Sequence, residues 1–183
     1  MSDQVLYAVP QILRNDDGVY AGNLVYYGRV LFNHAQNLMH PYHNFRHMFH
    51  VLWLCHEACR FYKDVLSRQQ MRNLLIAALF HDFDHSGMFG YDDLNIERSI
   101  RGLRRHILPN DAPCLDRIAS LVAITQYPYV AVPEQLDLCG KILRDADISQ
   151  AFSVAWIQQV VFGLAAEWRK PPLEVLAMRL WRP

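Results

Sequence analysis

The sequence predicts an all-α fold, one compact helical bundle over residues 1–183. Three observations predict it. Apolar residues recur at helical spacing through most of the chain, no stretch alternates strictly enough to make a half-buried strand, and no repeat or Ser/Gly-rich linker divides it. The spacing predicts helices over 21–39, 44–66 and 68–82, followed by helices over 93–107, 113–126, 133–147, 151–169 and 172–181. Their breaks are chemical. Gly87, Gly90 and the Asp92-Asp93 pair mark a loop in which Asp93 caps the following helix, Pro109-Asn110-Asp111 and Pro128–Pro133 mark two more, and Pro171-Pro172 opens the last helix. Prolines are read as falling between the periodic segments.

Composition narrows the partners. A 52% hydrophobic, 20% charged chain can bury a core of its own. Eighteen basic residues balance eighteen acidic ones, so no positive field gathers a nucleic-acid backbone. Four irregularly spaced cysteines (Cys55, Cys59, Cys114, Cys139) with no CxxC pair are read as reduced thiols in a cytoplasmic protein. Asp3 and Pro10 stand where a signal peptide needs a basic start and an apolar run. The apolar stretch Ala151–Trp168 carries Gln158 and Gln159 and reads as a buried amphipathic helix, so no membrane partner is expected.

The histidines carry the chemistry. His43 and His47 are four apart, which on one helix places them on one face, about 6 Å apart along the axis. The apolar run Leu74–Phe80 ends abruptly in His81-Asp82-Phe83-Asp84-His85-Ser86-Gly87, setting ionisable groups against the interior. Imidazoles and carboxylates compensate one another there by sharing a divalent cation, because the metal neutralises the carboxylate and occupies the imidazole lone pair. Asp145-Ala146-Asp147-Ile148-Ser149 follows the apolar Ile142-Leu143 and offers another carboxylate from a distant helix.

Tyr42-His43-Asn44-Phe45-Arg46-His47, His81–Gly87 and Ala146–Ser149 together resemble the signature of the HD superfamily of metal-dependent phosphohydrolases. Within it they are most similar to the cyclic-nucleotide phosphodiesterases, whose motifs YHNxxH, HDxDHxG and AD(L/I)SN run in this order. The resemblance implies an HD-type bundle that hydrolyses a small-molecule nucleotide and holds two divalent ions (Mn, Mg, Zn, Fe or Ni). It implies His47, His81, Asp82 and Asp147 as metal ligands, with Asp82 bridging to the second ion. It further implies His43 as general acid and His85 as support for the attacking water or for His43, with Asn44 and Asp84 behind them. Asp147 is preferred to Asp145 because it occupies the aspartate position of the third motif. Gln150 stands where that motif has Asn.

Other readings stay open at this level. Small microbial members of the superfamily, among them dNTP triphosphohydrolases, nucleoside 5'-monophosphatases and uncharacterised phosphohydrolases, fit the size of the chain, and Asp93-Leu94-Asn95-Ile96-Glu97-Arg98-Ser99 resembles the Asn-Glu-rich helix start of the last of these. Arg46, Arg98 and Arg101 are candidates to hold substrate phosphate, with Arg105 continuing the stripe, although a solvated face explains such a stripe as well. Tyr127, Tyr129 and Phe152 are candidates for a base-stacking wall, and Gln158 or Gln159 for a base contact. Phe49, Trp53, Cys55 and Cys59 are read as packing residues. A di-iron oxygenase would need further histidines before Asp147, and His106 is alone in that interval. A non-catalytic nucleotide-binding module, and a homo-oligomer, are compatible with the sequence.

Overall fold

The computed structural model describes residues 3–149 and 157–180, and among these it is all helical. The helices are α1 (Asp3–Arg14), α2 (Val25–His34), α3 (Phe45–Phe61), α4 (Arg68–Phe80), α5 (Asp92–His106), α6 (Leu115–Ala123), α7 (Leu138–Ile148), α8 (Gly163–Trp168) and α9 (Pro172–Leu180). Short 3₁₀ turns at Ala112–Cys114 and Pro133–Gln135 precede α6 and α7, and a π turn at Ile157–Phe162 leads into α8.

Helix α4 is the axis of the bundle and packs against α2, α3, α5, α6 and α7. Its sequence explains this position. Every residue from Met71 to Phe80 is buried, as expected of a helix apolar on all sides. Ser67 and Gln70 close a capping box at its start: the Ser67 hydroxyl accepts from the Gln70 N–H and the Gln70 side chain accepts from the Ser67 N–H. The chain therefore leaves α4 at a fixed point, directly into His81 and Asp82.

Several expectations are corrected. Helix α1 was not anticipated, because Pro10 was read as a break. It sits inside α1, whose Val5, Val9 and Ile12 are buried at helical spacing. The helix expected over 21–39 is confined to Val25–His34, since Gly22 takes a positive φ and residues 35–44 form a loop. The helix expected over 44–66 stops at Phe61, and those expected over 113–126 and 133–147 open as 3₁₀ turns. Asp93 does not cap α5. The capping position is Tyr91, and Asp92 and Asp93 fill the first turn, where negative charge suits the helix dipole. Gln150 and Phe152 lie outside the described residues, as do the side chains of Gln158 and Gln159. No helix among the described residues is long and apolar enough to cross a membrane. All four cysteines are free.

A smaller apolar cluster of Tyr42, Val160, Leu164, Ala165 and Val175 seats α8 on the loop before α3. Gly163 makes this approach feasible. A Cβ there would lie 3.1 Å from the Pro41 carbonyl oxygen and 3.3 Å from the Tyr42 Cβ. One turn later α8 presents Glu167 to the same loop.

A buried ion pair braces the opposite side. Arg72 donates from Nε to Asp111 Oδ1 at 2.6 Å and from Nη2 to Oδ2 at 2.7 Å, Nη1 reaches the carbonyls of Ala21 and Asn23, and Tyr27 Oη donates to Asp111 at 2.7 Å. Breaking such a pair from one side strands the other charge. Asp111→Asn is expected to cost about 3–5 kcal/mol of stability in urea denaturation. A loss under about 1 kcal/mol, the worth of an exposed pair, would contradict that assignment.

Candidate metal centre

Three helix ends build the site. His47 lies in the first turn of α3, whose start is fixed by Asn44: its Oδ1 accepts from the N–H groups of Arg46 and His47 at 2.9 and 3.3 Å. Asn44 therefore sets the orientation of His47 through the helix cap. His81 ends α4, Asp82 follows it, and Asp147 lies in the last turn of α7.

These side chains meet at one point. His47 Nε2 lies 3.0 Å from Asp147 Oδ1 and 3.2 Å from Asp82 Oδ2. His81 Nε2 lies 3.2 Å from both His47 Nε2 and Asp82 Oδ2, and 3.6 Å from Asp147 Oδ1. His81 Nδ1 donates to the Ala78 carbonyl at 2.9 Å, which turns Nε2 toward the cluster. Asp82 Oδ2 is buried without a hydrogen-bond partner. The ligating atoms of His47, His81 and Asp82 lie close enough to share a divalent cation, and Asp147 Oδ1 stands 3.0 and 3.6 Å from the two imidazoles.

Electrostatics point the same way. Burial disfavours a charged imidazole at both histidines, yet Tyr42, Asp147 and Asp82 raise His47 well above its ordinary value, and Asp82 and Asp147 raise His81. Burial also disfavours ionised Asp82, but His81, His43 and His47 hold it well below the usual carboxylate range. Without a bound cation, protons on the two imidazoles would balance the carboxylates. A raised histidine contributes stability that is complete below its unfolded value near 6.5 and is lost as pH rises through the folded value. Metal-free protein is accordingly expected to melt at lower temperature as pH is raised from about 6 toward 8.5. Metal binding must expel those protons, so metal-loaded protein should be stabilised over the same range. Melting curves with and without chelator check this, and parallel shifts in both would contradict it.

Beside this cluster stands a second group, His43, Asp82 and His85, whose ligating atoms also lie close enough to share an ion. His43 Nδ1 is 2.5 Å from Glu167 Oε1, while Glu167 Oε2 accepts from the N–H groups of Tyr42 and His43 at 2.8 and 3.1 Å. Burial would raise the Glu167 carboxyl, but these bonds and the His43 charge bring it down to about 2. The His85 ring stacks on His43 at 3.6 Å, and burial together with that neighbour lowers it to about 3, so it stays neutral. Its Nδ1 accepts from the Gly87 N–H at 3.0 Å and its Nε2 meets Asn95 Nδ2 at 2.9 Å. Gly87 is required there: its φ is +71°, and a Cβ would crowd Glu167 and His40.

A cavity of about 190 Å³ opens beside His43 and His85, with Phe89, Asp92, Tyr127 and Trp168 among its walls. Tyr127 is anchored by its N–H to Asp92. Tyr129 instead lies under the Arg144 guanidinium at 3.6 Å. Arg46, Arg98 and Arg101 are exposed and line none of this cavity: Arg46 lies over the Phe45 ring, and Arg98 Nη1 is 3.5 Å from the Asp84 carbonyl. Asp84 accepts from the Gln36 N–H rather than facing the cluster, Asp145 is exposed, and His106 stacks on His34. Sequence reasoning missed Glu167, Asn95 and Asn37. Glu167 and Asn37 sit in segments without motif, Asn95 lies in the Asp93–Ser99 segment without having been given a role, and only the fold brings all three to the histidines.

No curated protein and no solved structure matches the chain significantly. Residues 42–90, the stretch that supplies His43, His47, His81, Asp82 and His85, match the family model for 3'5'-cyclic nucleotide phosphodiesterase, and over that span the chain is phosphodiesterase-like.

Proposed function

We propose that the protein is a metal-dependent phosphohydrolase of the HD superfamily that cleaves a phosphodiester in a cyclic or linear nucleotide, residues 1–183 forming one catalytic unit. The observation that carries this reading is the approach of His47 Nε2 and His81 Nε2 to Asp82 Oδ2, both at 3.2 Å, and to Asp147 Oδ1, at 3.0 and 3.6 Å. These four residues would hold a divalent ion, which when bound would lower the pKa of water and withdraw charge from phosphoryl oxygens.

The remaining chemistry belongs to the chain. A sugar alkoxide is a strong base and leaves only when protonated. His43 is the donor: with Nδ1–H held by Glu167, Nε2 is the ring atom left to deliver a proton. After transfer the ring is neutral and still bonded to Glu167. His85, kept neutral, fixes the plane of His43 by stacking without competing for the proton. The aromatic walls of the adjacent cavity suit the nucleoside part of a substrate. The four free cysteines fit a cytoplasmic address.

The test is an assay of Mn²⁺-loaded protein against cyclic nucleotides, linear dinucleotides, 5'-monophosphates and dNTPs. Phosphodiester cleavage is expected. Release of inorganic triphosphate from dNTPs alone would assign the other branch of the chemistry, and turnover of nothing would leave a binding module.

A further inference from the structure

We infer that Asn37, which belongs to none of the sequence motifs, is a positioning residue that sets His43 against Asp82. The inference rests on the reading of His43 as general acid given above. Asn37 lies in the loop between α2 and α3 and is 1% exposed. Its Nδ2 donates to the carbonyl oxygens of His43 and of Asp82, both at 2.8 Å. Its Oδ1 accepts from the Asp84 N–H at 3.0 Å. The amide thus spends both hydrogens and its oxygen on main-chain groups of the two segments that carry the acid and the bridging carboxylate. The clasp is returned: Asp84, at a φ of +59°, accepts from the Gln36 N–H at 2.9 Å.

The arrangement fixes the backbone beneath two side chains whose separation matters. A general acid acts within hydrogen-bond reach of the leaving oxygen, and a displacement of about 1 Å can cost about a hundredfold in rate. Asn37→Asp isolates this role. It keeps the shape and the acceptor toward Asp84, but it removes both donors and sets a carboxylate oxygen against two carbonyls.

The experiment compares wild type, Asn37→Asp and the exposed control Asp116→Asn, all loaded with Mn²⁺, on two esters. Bis(p-nitrophenyl) phosphate has a leaving group that departs without a proton, whereas 3',5'-cyclic AMP and cyclic GMP expel an alkoxide. Asn37→Asp is expected to retain Mn²⁺ and to cleave the aryl ester within about threefold of wild type, with kcat on the cyclic nucleotide down about a hundredfold and KM little changed. Asp116→Asn should match wild type on both. Should Asn37→Asp fail to fold, Asn37→Ser, which keeps one donor, is expected to lose about tenfold on the cyclic nucleotide alone. Equal losses on both esters, loss of Mn²⁺, or no loss on either overturns the inference. Where wild type cleaves no alkoxide ester, the functional reading fails instead. Positioning is then decided by the ring nitrogen resonances of His43, which Asn37→Asp must move and Asp116→Asn must not.

Discussion

His81→Ala and Asp82→Ala are each expected to remove bound metal and hydrolytic activity together, with turnover falling by a factor on the order of 10³ or more. The reason is geometric. Each substitution deletes one of the atoms that approach one another at 3.2–3.6 Å. Asp82 carries an additional burden, because its carboxylate also stands within reach of His43 and His85. The two buried imidazoles would then face each other at 3.2 Å with one fewer anion between them. Elemental analysis of the purified variants beside rate measurements checks this. A variant that kept full metal and full turnover would remove that residue from the site.

His43→Asn is expected to behave differently, keeping the metal and losing turnover by about 10²–10⁴-fold, the usual worth of a general acid. His43 contributes none of the four converging atoms, and its Nδ1 is already engaged by Glu167. Glu167→Gln should cause a smaller loss. It still offers an acceptor oxygen, but it is uncharged and has one such oxygen where the carboxylate uses Oε1 for the ring and Oε2 for two backbone N–H groups. Because Glu167 acts through His43, adding Glu167→Gln to His43→Asn should cost no more than His43→Asn alone. Additive losses would show that Glu167 works by a separate route.

What was legible in the sequence was whatever local spacing encodes. The apolar run into His81-Asp82 announces ionisable groups at an interior helix end. The helix face expected to carry both His43 and His47 does not form, because Asn44 caps α3, which starts at Phe45 and leaves His43 in the loop before it. Asp147 could be chosen over Asp145 from its motif position, and in the fold Asp147 reaches His47 while Asp145 is exposed. What was illegible arises from long-range packing. Glu167 lies 124 residues from His43 and looks like any helical glutamate until Gly163 lets α8 approach Pro41 and Tyr42. Asn37 looks like a loop asparagine until its amide is found between two carbonyls. The route by which Asn44 stands behind the reacting groups was equally illegible: it acts on the His47 backbone as the cap of α3. The arginines at 98 and 101 follow helical spacing faithfully, yet the buried face of α5 carries Asn95, Ile96, Ser99, Gly102 and Leu103. Periodicity gives a stripe, not the side on which it lies. Pro10 misled for the converse reason, since its penalty within α1 is outweighed by burial of Val5, Val9 and Ile12.

The most direct measurement is anomalous diffraction from crystals of the protein grown with Mn²⁺, recorded on either side of the metal absorption edge. A peak is expected with His47 Nε2, His81 Nε2, Asp82 Oδ2 and Asp147 Oδ1 all within about 2.0–2.3 Å, ordinary bonding distances for nitrogen and carboxylate donors. A protein that takes up no ion under these conditions, or a peak bonded to some other group of residues, would contradict a shared metal centre at these four side chains.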